Sequence, residues 1–406
     1  MTQAEATTTA APTDPPFPFP ITSALDPSPE YRRMREEQPV MRVRLPSGDA
    51  AWLVTRFADV RAVFADPRFS RAAATLPGAP RLMPGVEGDP ESIVSKEGAD
   101  HARLRRLVAP AFTARRMEAM RGRVQATVDD LLSQVEAAGP PADLVGLYTS
   151  QLPIITICDL LGVPREDRDR FRHWSDAMFH STADKLDEAV AARNALIGYL
   201  AAMVQARRAN PSDDLLGVLI AHQDNDALTE RELVSFAGGL IVAGYETTSN
   251  RLANAVLILL GRPDQLALLR EDPSRVPAAV EELLRFIPGG AAGGLMRVAT
   301  EDVEVGGTLI RAGDGVIAVT NSANRDDEVW ADPDRFDITR APGPHTSFGH
   351  GAHHCVGAQL ARIEMQVGLG SLFARFPTLR LAVDESELPW RKNAVIHSLQ
   401  GLPVEW

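Results

Sequence analysis

Apolar residues recur at helical spacing along five long stretches, 114–137, 183–208, 230–260, 277–286 and 356–376, and these amphipathic runs predict helices. Ser28-Pro29 opens a shorter helix that runs through Glu37. Serine can cap the exposed N–H groups there, and proline suits a first turn because its missing N–H would be unpaired anyway. Strand-type text is confined to two regions. Residues 40–45 and 51–54 flank Pro46-Ser47-Gly48-Asp49, the pattern of a hairpin. The second region, 298–319, is interrupted by Gly306-Gly307 and Gly313. The pattern predicts a mainly α fold with a small β part. No internal repeat is present, and no long linker follows Pro20. Residues 1–20 are rich in Thr, Ala and Pro and carry no Lys or Arg. They read as a disordered leader and lack the basic and apolar segments of a signal peptide.

Composition changes this picture only slightly. The chain has 406 residues, 45% of them hydrophobic and 24% charged, which suits a soluble globular protein. Its formal net charge of -12 argues against nucleic acid as a partner. The apolar stretches around 236–243 and 252–260 are too short and too interrupted to span a bilayer, so no membrane role is expected. There are two cysteines, Cys158 and Cys355, and so no disulfide framework. A reduced, cytoplasmic compartment fits.

Cys355 carries the candidate chemistry. It lies in Phe348-Gly349-His350-Gly351-Ala352-His353-His354-Cys355-Val356-Gly357, directly before an apolar helical run. A helix N-terminus presents unpaired N–H groups and partial positive charge, which favour a thiolate and should lower the thiol pKa. Gly351 and Gly357 let backbone pass close to something large and flat. A buried structural cysteine would not need this density of glycine. Zinc is the rival ligand, since His345, His350, His353 and His354 crowd around Cys355. Their spacing is not that of common zinc modules, and no second cysteine pair lies nearby.

The run resembles the haem-binding loop of the cytochrome P450 family, through Phe348, Gly351, Cys355 and Gly357 in the family spacing. The resemblance implies that Cys355 is the axial thiolate of haem b, and that His353 meets a haem propionate. Three further matches accompany it. Ala243-Gly244-Tyr245-Glu246-Thr247-Thr248, inside a long helical run, resembles the family's oxygen-activating motif. A Gly in a helix interior costs about 1 kcal/mol relative to Ala and wants a reason. Here small Ala243 and Gly244 would let a flat cofactor approach. Thr247 can bond back to a carbonyl of the preceding turn, and Glu246 can relay protons. Glu282-Leu283-Leu284-Arg285 resembles the family's buried ion pair, which Arg335 is expected to join, with Arg340 as the alternative. His101 and Arg105, one helical turn apart, and Arg297 match positions that reach the propionates. The resemblance spans nearly the whole chain from about residue 24. It implies a single integrated, roughly triangular domain of the cytochrome P450 fold. The texture is that of soluble bacterial members that tailor secondary metabolites.

Haem oxygen chemistry needs two electrons. Gly289-Gly290-Ala291-Ala292-Gly293-Gly294 follows a helix and a proline rather than a strand, so it fails as a dinucleotide loop. A separate ferredoxin or flavodoxin with its reductase is therefore expected, docking near Arg103, Arg106, Arg115 and Arg116. The family's variable segments supply the substrate contacts; here Leu82, Met83, Phe179, Leu240, Ile287, Gly290, Leu295 and Ile396 are the candidates. Mostly apolar or small, they suit a large apolar natural product. The reading is a haem-thiolate monooxygenase that hydroxylates or epoxidises such a molecule. Oxidative ring closure or coupling on the same cofactor is the alternative, and a non-catalytic haem sensor is more remote.

Overall fold

The computed structural model describes residues 14–84, 89–179, 186–221, 228–289, 294–391 and 398–406. Its helices are α1 (Glu30–Glu37), α2 (Phe57–Ala65), α3 (Gly98–Val108), α4 (Ala114–Ala138), α5 (Gln151–Leu161), α6 (Arg168–Phe179), α7 (Leu186–Ala209), α8 (Leu215–Ala221), α9 (Glu230–Leu260), α10 (Pro263–Glu271), α11 (Val276–Phe286), α12 (Thr320–Ala323) and α13 (Ala358–Arg375). Its strands are β1 (Val40–Arg44), β2 (Ala50–Val54), β3 (Phe69–Ser70), β4 (Ala142–Asp143), β5 (Arg297–Ala299), β6 (Val303–Val305), β7 (Thr308–Ile310), β8 (Gly315–Ala318), β9 (Arg380–Leu381) and β10 (Pro403–Glu405). All five periodic runs are helices, and 40–54 is the hairpin read from sequence, pairing Val40 with Val54. Gly48 turns it at a φ of 93°, a conformation that favours glycine.

α9 is the axis of the molecule. It starts on a capping box: Glu232 N–H donates to Thr229 Oγ1, and Thr229 N–H donates to Glu232 Oε2. Its C-terminal half packs Leu252, Val256 and Leu259 into one core with α4, α11 and α13. Its N-terminal half packs Leu233, Ala237 and Ile241 into a second core with α5 and α7. The sheet, ordered β1-β2-β8-β5-β3, stands to one side. β5 lies between β8 and β3 and pairs antiparallel with both, which brings the Arg297 side chain to donate to Phe69 O at 2.9 Å.

Two expectations change. The expected disordered leader does not extend to Pro20: Phe17 N–H donates to Arg44 O, and Phe17 and Phe19 are buried against β1 and β2. The long apolar helix is α7; the two stretches singled out from sequence lie in α9, which meets the same measure only together with α10 across a bend of 101°. The α7 segment Asp187–Ala209 is the one helix among the described residues that is long and apolar enough to cross a membrane, yet Leu196, Leu200 and Val204 along it are buried in the second core.

Candidate active site

The Cys355 loop is held by its own backbone and by α2. Cys355 N–H donates to Phe348 O at 2.9 Å, and Gly349 N–H donates to Thr346 O at 2.8 Å. Gly351 has a φ of 71°, and a Cβ there would stand 2.8 Å from the carbonyl oxygen of Phe64, so no other residue fits. Gly357 is different. Its φ is an ordinary -84°, and no protein atom lies within 4 Å of where its Cβ would be. Nothing in the polypeptide demands glycine at 357; a flat group passing beside it would. Cys355 is solvent-accessible within the loop. Burial by the surrounding protein pushes its thiol pKa up, against the opposing pull of the Gly357 N–H, Arg105 and Arg362.

The four histidines around the cysteine do not converge. His345 Nε2 is 3.1 Å from Glu281 Oε2, His350 Nε2 is 3.4 Å from Arg61 Nη2, the His353 ring lies tilted 4.2 Å from that of His101, and the His354 ring lies 6.4 Å from that of Phe348. Among the described residues, no group of three His, Cys, Asp or Glu side chains is placed to hold a metal ion. The zinc alternative therefore has no ligand set.

Beneath the loop lies a network that sequence reading found in part. Arg285 donates to Glu282 through Nε at 2.7 Å and Nη2 at 2.8 Å, and both side chains are almost wholly buried. Arg285 Nη1 also donates to the carbonyls of Asn324 and Pro333. The third arginine is Arg340, whose Nε donates to Glu282 Oε1 at 3.2 Å. Arg335, the sequence choice, is excluded: its side chain is 65% exposed and pairs outward with Asp337. It contributes only its carbonyl, which accepts from Arg340 and Arg285. Sequence reading missed a second support. Glu281 accepts from Arg362 Nε at 2.6 Å and Nη2 at 2.9 Å, and Arg362 lies 4.6 Å over the Phe348 ring. Burial alone would push the Glu281 carboxyl up, but His345 and Arg362 outweigh it and hold it at about 2.

On the opposing helix, α9, Gly239, Ala243 and Thr247 are exposed in a helix that is otherwise mostly buried, with Gly244 half-buried beside them. These positions fall on one face, four residues apart. Thr247 Oγ1 donates to Ala243 O at 2.5 Å, the back-bond expected from sequence, and α9 stays helical through it. Glu246 is buried and accepts from Asn250 Nδ2 at 2.9 Å.

A third group of residues supplies charge. His101 on α3 and Arg297 on β5 are buried, Arg105 is half-buried, and His353 completes the set. Arg71, just after β3, joins them unannounced by any sequence motif. Its N–H and Ser70 Oγ donate to Glu97, and its Nη1 donates to Met296 O. Burial first, then His101, Arg297, Arg71 and Arg105, push His353 down to about 3. Burial and Arg105 likewise lower His101. Both imidazoles are thus neutral near pH 7. Three guanidiniums remain, and Glu97 is the carboxylate that acts on Arg71 and Arg297. Arg297 Nε is buried without an acceptor. An excess of two positive charges and an orphaned donor fit a cofactor carrying two carboxylates.

The family comparison agrees with this geometry. The family Cytochrome P450 matches residues 157–397. The chain belongs to the cytochrome P450 family. Nocardicin C N-oxygenase of Nocardia uniformis subsp. tsuyamanensis is 52% identical, over 96% of this chain and 98% of that one. Mycinamicin IV hydroxylase/epoxidase of Micromonospora griseorubida is 43% identical, also over 96% and 98%. The crystal structure of the leinamycin-pathway cytochrome P450 hydroxylase of Streptomyces atroolivaceus has a TM-score of 0.90 and 47% identity, covering 97% of this chain and all of that one. This cytochrome P450 is a haem b monooxygenase with a cysteine thiolate ligand, of the type that tailors small-molecule natural products and takes its electrons from redox partners.

The substrate candidates divide. Leu295 is 60% exposed, and Leu82 and Met83 are half-buried, with Leu82 packed against the sheet beside Met296. Leu240 is buried in the second core. Ile287 is only 2% exposed and belongs to the main core, so its side chain is no pocket wall. The side chain of Phe179, and Gly290 and Ile396 entirely, lie outside the described residues.

Proposed function

We propose that the Cys355 thiolate would ligate the haem iron, that His101, Arg105, Arg297 and His353 would hold the propionates with Arg71 beside them, and that Thr247 and Glu246 on α9 manage protons. Haem b, when bound, would supply oxygen activation: with dioxygen, two supplied electrons and two protons, one oxygen atom enters a C–H or C=C bond and the other leaves as water. The chain's own part is positional. Ala243 and Gly244 let the flat group lie against α9, and the loop from Phe348 to Gly357 presents the sulfur. Thr247 holds a hydroxyl proton on Ala243 O that it can turn toward the reacting oxygen, while Glu246 exchanges protons with solvent through a change of partner from Asn250. The observation that carries the reading is the excess of guanidinium charge beside the Cys355 loop, with Arg297 Nε left without an acceptor. Cys355→Ser should lose haem content while keeping its helical circular dichroism. Cys158→Ser, altering a thiol buried in the second core, should keep its haem. Equal haem retention in both variants would refute the ligand assignment.

The substrate we propose is a large, mainly apolar natural product, as the names of the relatives suggest for those enzymes, and the compartment is the cytoplasm. Exposed Leu76 and Leu295 supply apolar contact surface for it. For the electron donor we propose a small acidic ferredoxin or flavodoxin. Arg103 drops out of the expected docking patch because it pairs with Glu232. Arg106, Arg115 and Arg116 remain exposed. Arg115→Glu with Arg116→Glu should slow reduction by ferredoxin about tenfold at low salt and flatten its salt dependence, leaving reduction by dithionite unchanged. Unchanged ferredoxin kinetics would remove the patch from the interface.

A further inference from the structure

α7 is long and apolar, yet only 28% of its most apolar stretch is buried. Leu196, Leu200 and Val204 pack into the second core, and a separate side of the helix is turned to solvent. Along that side lie Asp187, Val190, Asn194, Ile197, Gly198, Ala201 and Arg208, which helical spacing gathers into an arc of about 100°. All are exposed except Ala201, which is half-buried. Val190 is 50% exposed and Ile197 41%. Gly198 weakens the helix at its middle, and among the described residues no atom stands within 4 Å of where its Cβ would be. Nothing in the described chain asks for glycine at 198; the close approach of another backbone would. Charge is divided between the two ends of the stripe. Asp187 stands in the first turn of α7 and Arg208 in the last. Arg208 Nη1 is 3.9 Å from Glu230 Oε2, a loose pair on the surface. Arg207 is committed elsewhere, to Asp214 and the carbonyl of Gly162. Glu188 and Arg193 fall to the two sides of the stripe by helical spacing.

We propose that this face of α7 is a self-association surface, and that its occupant is α7 of a second copy of the chain, packed antiparallel about a two-fold axis. The stripe is complementary to itself in that arrangement. With the axis between Ile197 and Gly198, each Ile197 meets the partner's Gly198, each Asn194 meets the partner's Ala201, and each Asp187 meets the partner's Arg208. The larger side chain falls opposite the smaller one near the centre, and opposite charges meet at both rims. A parallel pairing would instead set Asp187 against Asp187 and Arg208 against Arg208. One helix face is smaller than the roughly 800 Å² per partner of a stable complex, so the dimer is a weak one that forms at high concentration. α7 carries none of the residues assigned to the haem or to the electron donor, and the inference does not depend on the haem-thiolate reading.

The test is sedimentation velocity of the full chain, as purified, from about 5 to about 500 μM at low salt. The weight-average mass should climb toward twice that of the chain across this range. Ile197→Glu changes an exposed position and should weaken dimerisation about tenfold or more, with circular dichroism and the urea midpoint unchanged. Asp187→Arg sets arginine against arginine at both ends and should weaken it about tenfold. Asp187→Arg combined with Arg208→Asp restores opposite charges with the polarity reversed, and should recover most of the affinity. A wild-type chain that stays monomeric at about 500 μM overturns the proposal; if that monomer binds phosphatidylcholine vesicles and Ile197→Glu does not, the face belongs to a lipid surface instead. A dimer indifferent to Ile197→Glu overturns it too, because association would then use another face. So does a charge swap that fails to rescue, because the helices would then not pack antiparallel in this register.

Discussion

Arg285→Leu is expected to yield little haem-loaded protein and to lower stability by about 3–5 kcal/mol, the usual cost of breaking a buried ion pair from one side. Against a typical total of about 5–15 kcal/mol, that is a large fraction. The substitution removes two bonds to Glu282 and leaves the carbonyls of Asn324 and Pro333 without a donor. Asn324 is the hinge of the effect: its side chain accepts from Thr346 N–H and Oγ1, and donates to Ser347 Oγ. Loss of Arg285 therefore reaches the segment just before Phe348. Arg340 and the Asp337 N–H still satisfy one oxygen of Glu282, so the carboxylate is not wholly orphaned. Arg335→Leu, by contrast, changes an exposed side chain and should stay within about 0.5 kcal/mol of wild type. Urea midpoints and haem content of the two variants decide this. Equal effects would mean that the buried network does not hold the loop.

Thr247→Ala is expected to leave folding intact and damage the chemistry. Alanine is the better helix former, and the hydroxyl it removes bonds only to a carbonyl of its own helix, so the melting temperature should not fall. What goes is the one hydroxyl on the accessible face of α9 next to buried Glu246. Positioned proton donors contribute about 10²- to 10⁴-fold. Product formed per pair of electrons supplied should drop by about tenfold or more on that basis, with hydrogen peroxide rising in its place. Thr247→Ser should restore most of the coupling. Full coupling in Thr247→Ala, with a substrate that shifts the spin state, would contradict the proton role.

Sequence legibility followed how local each signal was. α4, α7, α9 and α13 were readable because each continues for 18 residues or more, and α11, though short, because its apolar face is strongly one-sided. α5 was not: it is only 11 residues long, carries Pro153 in its first turn, and is buried on several sides, so neither length nor period marks it. The Cys355 loop and the Glu246-Thr247 pair were legible because neighbouring residues build them. The choice between Arg335 and Arg340 was not, since both lie in one irregular segment. The turn at Asp332, with its φ of 47°, precedes Arg335, which faces outward while Arg340 returns to Glu282. Arg71 and Glu281 left no trace in sequence for a related reason. Each acts on a partner brought to it by the fold: Met296 and Arg362.

Delivery of the Cys355 thiolate to haem iron is open to direct observation. Its most direct measurement is the absorption spectrum of the purified, dithionite-reduced protein under carbon monoxide. A strongly red-shifted Soret band, absent in Cys355→Ser and retained in Cys158→Ser, is the predicted result. A colourless protein, or a CO band at the position given by an imidazole-ligated haem, would contradict it.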